Sequence, residues 1–236
     1  LCRRFARMGN NRGVMQVDIK VVQLLCSRLC HDLIGPAGAV HNGMELFEEM
    51  GVDGGEDALK MVSASVSQLS ARLGFFRMAF GLGGLSGRQA PLSEARQLAD
   101  AFLEGGRIDL DWPSDVAAEQ KWQPTGPMIK LLFNMILVAI DALPRGGILG
   151  VSLVRVDDEP DGPAIGMAIK AAGEGATLKD DLKSALFPAT AEGTEPELNA
   201  HNIHGFFCHQ LARSLASEIE VSAIENEVRF AVLVQE

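Results

Sequence analysis

Apolar residues recur every three or four positions along residues 18–50, the spacing of one face of an α-helix. Gly51, Gly54 and Gly55 interrupt the pattern, and a second apolar series begins after Glu56. This series alternates three- and four-residue steps through Leu59, Val62, Val66, Leu69, Leu73, Phe76 and Phe80. Two long helices joined by a short glycine-rich turn form an antiparallel hairpin, which we expect over residues 18–82.

A two-helix hairpin cannot enclose a hydrophobic core by itself. Its apolar positions need partners from the rest of the chain or from a second copy. A homodimer in which two hairpins form a four-helix bundle buries the apolar faces of both helices, so we expect this assembly.

The pattern changes after the second helix. Residues 83–90 are rich in glycine and are expected to form a linker. Residues 91–236 mix helical periodicity with alternating β-rich runs, which predicts an α+β sandwich domain with helices on one face of a sheet. The predicted helices are 91–104, 125–143 and 198–217, and the predicted strands are 108–112, 148–156, 164–170, 218–224 and 228–234.

Charge and composition narrow the class of partner. The chain has 21 Lys+Arg against 31 Asp+Glu, a net charge of −10, which argues against broad binding to nucleic acid or to anionic lipid. Residues 1–17 lack the apolar core of an export signal and are expected to be a disordered leader. The longest later apolar run, 135–140, is far too short to span a membrane. Four irregularly spaced cysteines favour a reducing, cytoplasmic location over a disulfide framework.

His31 and Asp32 are the strongest candidates for chemistry. His31 is two residues from Leu29 and from Leu33, so it points away from the apolar face of the first helix. A carboxylate beside a histidine can hold one ring nitrogen as N–H and leave the other free to attack. Pro36 removes one helical hydrogen bond and is expected to bend the helix just beyond this pair. The competing interpretation is an ordinary exposed histidine with an incidental acid.

The segment around His31 resembles a known family. His31-Asp32 with Pro36 is similar to the phosphoacceptor motif of histidine kinases, and the order of a hairpin followed by an α+β domain is also theirs. The pattern Arg28-Leu-Cys-His31-Asp32 followed by Pro36 more closely resembles the ChpT-type histidine phosphotransferases of alphaproteobacterial cell-cycle phosphorelays. The resemblance covers residues 18–236 and implies a degenerate kinase-like ATPase domain after the hairpin.

The second domain lacks the residues by which such kinases bind nucleotide. Val138 stands where the metal-binding asparagine would fall, and Ala171 stands where the adenine-binding aspartate would fall. Of the lid glycines, one remains within residues 202–205. We therefore expect no ATP binding, no bound cofactor and no kinase activity.

The resemblance implies a phosphotransferase that works between receiver domains. The receiver of a hybrid histidine kinase would donate, response regulators would accept, and each receiver would bring its own Mg²⁺. His31 would be the phosphoacceptor and Asp32 would stabilise the developing imidazolium. The outer face near His31 is expected to bind the receiver through Arg28, Gly35, Arg72 and Phe75.

Two other interpretations compete with this one. The cluster of His201, His204, Cys208 and His209 could bind a metal, but it lacks the paired cysteine spacing of zinc sites, so no metal site is expected. The chain could also be a non-catalytic dimeric adaptor that only docks receivers on an inactive kinase scaffold.

Overall fold

The computed structural model describes residues 18–51, 55–81, 91–113, 122–157, 159–160, 162–188 and 196–236. The predicted leader 1–17 and linker 83–90 lie outside the described residues. Among the described residues, no helix combines the length and the apolar character that a membrane span requires.

Two long helices form the predicted hairpin. Helix α1 runs over Ile19–Met50 and α2 over Glu56–Phe80. The side chain of Asp18 caps α1 by accepting a hydrogen bond from the backbone N–H of Lys20 at 2.8 Å. Gly51 ends α1 at φ +67°, a backbone conformation that favours glycine. The helices approach so closely at Gly43 that a Cβ there would lie 2.6 Å from Val62 Cγ2.

The described residues between 91 and 236 form the predicted α+β unit. Its helices are α3 (Leu92–Leu103), α4 (Gly126–Asp141), α5 (Asp180–Leu186) and α6 (Ile203–Ser214). Its strands are β1 (Ile108–Asp111), β2 (Gly147–Val156), β3 (Ala164–Ala172), β4 (Ile219–Ile224) and β5 (Glu227–Gln235). They form one sheet in the order β1-β2-β3-β5-β4, in which only the β1–β2 pairing is parallel.

Two details of this unit differ from the prediction. Helix α5 has only seven residues, too few for its periodicity to stand out in the sequence. Helix α6 begins at Ile203 and not at Leu198, because asparagine side chains bind the preceding backbone. Asn199 Oδ1 accepts from His201 N–H at 2.8 Å, and Asn202 Nδ2 donates to the Glu197 carbonyl at 3.0 Å. These local bonds compete with helical ones.

The hairpin and the α+β unit share one hydrophobic core. Helix α4 is buried on nearly every side and packs between the sheet and the end of α2. Phe75, Phe76 and Ala79 of α2 belong to the same buried cluster as α3, α4 and the sheet. Asn134 also links the two parts, since its buried Nδ2 donates to the Ala79 carbonyl at 2.9 Å.

The apolar series of α2 divides into two sets. Phe76 is buried and Val62 and Leu69 are half-buried, and Val62 closes on Gly43 of α1. The residues of the series that lie between these are exposed to solvent: Leu59 is 46%, Val66 45% and Leu73 50% exposed. Half of the predicted apolar face is therefore used within the chain, and a stripe with seven-residue spacing is left on the surface.

Candidate functional site

His31 projects from the middle of α1 into solvent. Its side chain is 75% exposed, while Leu29 and Leu33 on either side pack against the common core. Helical geometry explains this arrangement, because residues two positions apart point about 200° apart around the axis. An incoming group can therefore reach the imidazole.

Asp32 orients this imidazole. His31 Nδ1 lies 3.0 Å from Asp32 Oδ1, and the Asp32 side chain is only 15% exposed. An ionised carboxylate can only accept hydrogen bonds, so this contact favours the tautomer that carries its proton on Nδ1. The Nε2 lone pair is then free for a reaction with an electrophile.

Arg28 joins Asp32 to the second part of the molecule. Its Nε donates to Asp32 Oδ2 at 3.0 Å, and its Nη2 donates to Asp141 Oδ1 at 3.5 Å. Burial would lower the pKa of Arg28, but the charges of Asp141 and Asp32 outweigh it and the pKa is raised above its ordinary value. The guanidinium is thus occupied by two carboxylates, although the sequence suggested it as a receiver-binding group.

Asp141 is the last residue of the apolar helix α4, and its carboxylate faces a guanidinium and an imidazole. Its Oδ1 accepts from Arg28, and its Oδ2 lies 3.1 Å from Nε2 of the buried His204 in α6. The Nε2 contact is at ion-pair distance but outside hydrogen-bond geometry, and Nδ1 has no hydrogen-bond partner among the described residues. Desolvation would raise the pKa of Asp141, yet His204 and Arg28 together hold it below its ordinary value.

Spacing along the chain does not predict that Asp141 and His204 join the pair of Arg28 and Asp32. Asp141 is the only acid in α4, a signal that was available in the sequence. His204 was considered only as part of a metal cluster. Its approach to Asp141 depends on how α4 and α6 pack, which no spacing rule predicts.

A cleft of about 260 Å³ lies beside this network, between the hairpin and the turn from α3 to β1. Arg28 and Asp32 line one side, and Arg107 lies on the turn that forms the other. Arg72, also in the lining, is half-buried with its guanidinium carbon 5.6 Å above the ring of Phe102. Arg72 thus lies in the same cleft as Arg28 and Asp32. Its role in receiver binding stays a prediction.

The expectation that Phe75 is exposed for receiver binding is wrong. Phe75 is 0% exposed, stacks on Phe102 of α3 at 4.1 Å between ring centroids, and meets Phe133 of α4 at 4.5 Å. It lies off the apolar face that α2 turns toward α1, but α3 and α4 cover it. Phe75 therefore holds the two parts of the chain together.

Gly35 and Ile34 form the exposed surface one turn beyond His31. A Cβ placed on Gly35 would meet no atom within 4 Å, so the backbone here is open to an approaching surface. Ile34 is 71% exposed and is three residues from His31, a spacing that puts neighbours on one helix face. Ile34 is an apolar residue off the predicted apolar face, and this was the signal in the sequence that points to it.

Apolar side chains stand at the two positions where the kinases that this chain resembles have nucleotide-binding residues. Val138 in α4 and Ala171 in β3 are both fully or almost fully buried in the core. Burial of Cys208 raises the pKa of its thiol, which disfavours the thiolate that a metal would need. Within the described ranges, no group of three or more His, Cys, Asp or Glu side chains is placed to bind a metal ion.

Comparison with known proteins gives consistent matches. A family model described as the histidine phosphotransferase C-terminal domain matches residues 92–227. The protein phosphotransferase ChpT of Brucella abortus (strain 2308) is 34% identical over 208 residues, covering 88% of this chain and 92% of that protein. A solved structure of a bacterial phosphotransferase aligns with a TM-score of 0.73 and 30% identity, over 93% of this chain and 98% of that one. With a matching family model over more than half of its length and a relative that it covers almost completely, this chain belongs to the histidine phosphotransferase family.

Proposed function

We propose that this histidine phosphotransferase carries its phosphoryl group on Nε2 of His31 as an intermediate of a phosphorelay. The observation that supports this most directly is the exposed imidazole whose Nδ1 is held by Asp32 at 3.0 Å. His41, another exposed histidine of α1, also has a carboxylate nearby, but its Nε2 is the atom that approaches Glu45, at 3.3 Å. Of these two histidines, only His31 has an Nε2 atom that no carboxylate of the described residues approaches.

The proposed step is an in-line displacement. The Nε2 lone pair of His31 attacks the phosphorus of an aspartyl phosphate, the N–P bond forms, and the P–O bond to the donor carboxylate breaks. The proton stays on Nδ1, and Asp32 balances the positive charge that develops on the ring. The reverse step passes the phosphoryl group to the aspartate of a second receiver.

The proposed partners are therefore the receiver domain of a hybrid histidine kinase as donor and response regulators as acceptors. Each receiver would supply the Mg²⁺ for its own phosphoryl group, so this chain needs to provide a nucleophile and a docking face. The face includes Gly35, Ile34 and Arg72, since a partner whose aspartate reaches His31 covers its neighbours. We place the reaction in the cytoplasm, in keeping with the free, exposed Cys26 and Cys30 of α1.

The experiment that tests the acceptor compares two histidines on one helix. A receiver labelled with phosphorus-32 is incubated with the wild type, His31→Ala and His41→Ala, and acid-labile label on the protein is measured. We expect label on the wild type and on His41→Ala and none on His31→Ala. Label that survives in His31→Ala would overturn the assignment, and no label on the folded wild type would favour the adaptor hypothesis.

We also propose that the chain binds no ATP. Val138 and Ala171 offer neither an oxygen for Mg²⁺ nor an acceptor for the adenine amino group, and the core buries both. Titration with Mg-ATP at millimolar concentration in a calorimeter should give only the heat of dilution. A saturable heat of binding that excess ADP abolishes would restore the kinase interpretation.

A homodimer is the proposed assembly. The stripe of Leu59, Val66 and Leu73 is exposed at seven-residue intervals on the hairpin, the spacing by which helices pair in bundles. A second hairpin that packs on this stripe would complete four helices and remove apolar surface from water.

A further inference from the structure

The phosphoacceptor is connected to the second part of the chain through side chains. Starting at His31, the connection passes to Asp32, then to Arg28, then to Asp141 and finally to His204. Acidic and basic side chains alternate along it. The first three residues belong to α1, Asp141 belongs to α4 and His204 belongs to α6.

Each carboxylate in this connection uses both oxygens. Asp32 turns Oδ1 to His31 and Oδ2 to Arg28, while Asp141 turns Oδ1 to Arg28 and Oδ2 to His204. An arginine that bridges two carboxylates has fewer accessible rotamers than one bound to a single exposed acid, because its planar group must satisfy both directions. Fixing Arg28 therefore fixes Oδ2 of Asp32, and this sets the direction of Oδ1 toward the imidazole.

The two ends of the connection differ in burial. The side chain of His31 is 75% exposed and that of His204 is 1% exposed, while Asp32, Arg28 and Asp141 between them are 15%, 20% and 27% exposed. The solvent-exposed nucleophile is thus connected to a side chain that the core encloses. His204 is enclosed where α4 and α6 pack, which limits how far Asp141 can move.

We propose that Asp141 is a positioning residue for phosphoryl transfer, acting through Arg28 to hold Asp32 against Nδ1 of His31. This inference rests on the proposed role of His31 and deepens it. It gives the α+β unit a part in the chemistry even without nucleotide, because α4 supplies the group that orients the acceptor on α1. Asp141 itself contacts neither the phosphoryl group nor the ring of His31.

The kinetic test uses Asp141→Asn, which keeps the shape of the side chain and removes its charge. With a saturating phosphorylated receiver we expect kcat for transfer to fall on the order of tenfold, since a small displacement of a reacting group costs this much or more. The KM should stay within about twofold, because docking residues are unchanged. Asp109→Asn, which removes an exposed acid from β1, serves as the matched control and should behave as wild type.

A double-mutant cycle shows whether Asp141 acts through Arg28. If it does, Arg28→Ala combined with Asp141→Asn should transfer no more slowly than Arg28→Ala alone, within about twofold. Two effects that multiply would overturn the proposal, as would a loss that appears only in KM. If Asp141→Asn melts below the assay temperature, Asp141→Glu, which keeps the charge but moves the carboxylate, is measured in the same cycle.

A spectroscopic measurement separates this proposal from the proposed function. Nitrogen-15 spectra of the histidine rings report the tautomer of His31 in the unphosphorylated protein, with no receiver present. We expect the wild type to hold the proton on Nδ1 and Asp141→Asn to shift population toward Nε2–H. An unchanged tautomer in Asp141→Asn overturns the positioning role even if His31 accepts label, whereas label that survives in His31→Ala overturns the proposed function whatever the tautomer.

Discussion

Ile34 is an exposed apolar residue beside the proposed acceptor His31. It is 71% exposed one turn beyond His31, next to a glycine with open space around it. A receiver that brings its aspartate to bonding distance of Nε2 would remove this side chain from water. The free energy gained would appear in binding of the receiver and not in the rate of the chemical step.

Substitution of Ile34 by Ser is expected to raise the KM for a phosphorylated receiver on the order of tenfold, with kcat little changed. Ile19→Ser is a closely matched control, because Ile19 is 70% exposed in the same helix but lies three turns before the acceptor. Steady-state transfer assays on both variants provide the comparison. Equal effects of the two substitutions, or an effect of Ile34→Ser on kcat alone, would contradict a docking role.

At the scale of the elements, α2 divides its apolar residues between two tasks. Val62, Leu69 and Phe76 pack inside the chain, and Leu59, Val66 and Leu73 form the exposed stripe. A charged residue at position 69 would therefore disturb the hairpin itself before it disturbed a dimer. The exposed stripe offers the cleaner test of assembly.

Val66→Glu is expected to give a folded monomer, because it places a charge in the middle of the stripe that a second hairpin would cover. Ala64→Glu adds the same charge on an exposed position two residues away, on roughly the opposite side of the helix, and should remain dimeric. Light scattering measures the mass, and far-UV circular dichroism checks the helices. A Val66→Glu protein that keeps the mass of two chains would contradict the proposed seam.

At the scale of the whole molecule, the hairpin and the α+β unit are parts of one cooperative core. Phe75, Phe76 and Ala79 of α2 are buried among α3 and α4, and Asn134 bonds the Ala79 carbonyl. Removal of residues 91–236 would expose these aromatic rings to water. The contribution of the second part is therefore better tested with point variants in the full chain than with an isolated hairpin.

The connection between the two parts should also affect stability in acid. The pKa of Asp141 is below its ordinary value of 3.8, so the unfolded chain takes up a proton at this residue at a higher pH than the folded chain does. The stabilisation from ionised Asp141 is thus fully present above pH of about 4, and is lost as the pH falls through the lowered pKa of the folded state.

Urea unfolding of the wild type and of Asp141→Asn at pH 6, 4 and 3 checks this expectation. The wild type should be the more stable protein at pH 6, and the difference in unfolding free energy should narrow as the pH falls below about 4. Because both proteins share all other acids, the difference isolates position 141. A difference that stays constant with pH would mean that the charge of Asp141 does not stabilise the fold.

The sequence by itself determined the elements and the acceptor candidate. Spacing along the chain predicts the long helices α1 and α2, the α+β class and the exposure of His31. Each follows from a repeat between residues close in sequence. The contact of Asp32 with its neighbour His31 is local in the same way.

Tertiary packing decided which faces are covered and which distant groups meet. Phe75 is buried because α3 and α4 approach it, and Leu59, Val66 and Leu73 of α2 stay exposed because neither α1 nor the α+β unit covers them. Arg28 meets Asp141, which is 113 positions away in sequence, only because the fold brings the end of α4 within side-chain reach of α1. Periodicity records that a residue is apolar or charged but not which element will pack on it, so these contacts required the folded structure.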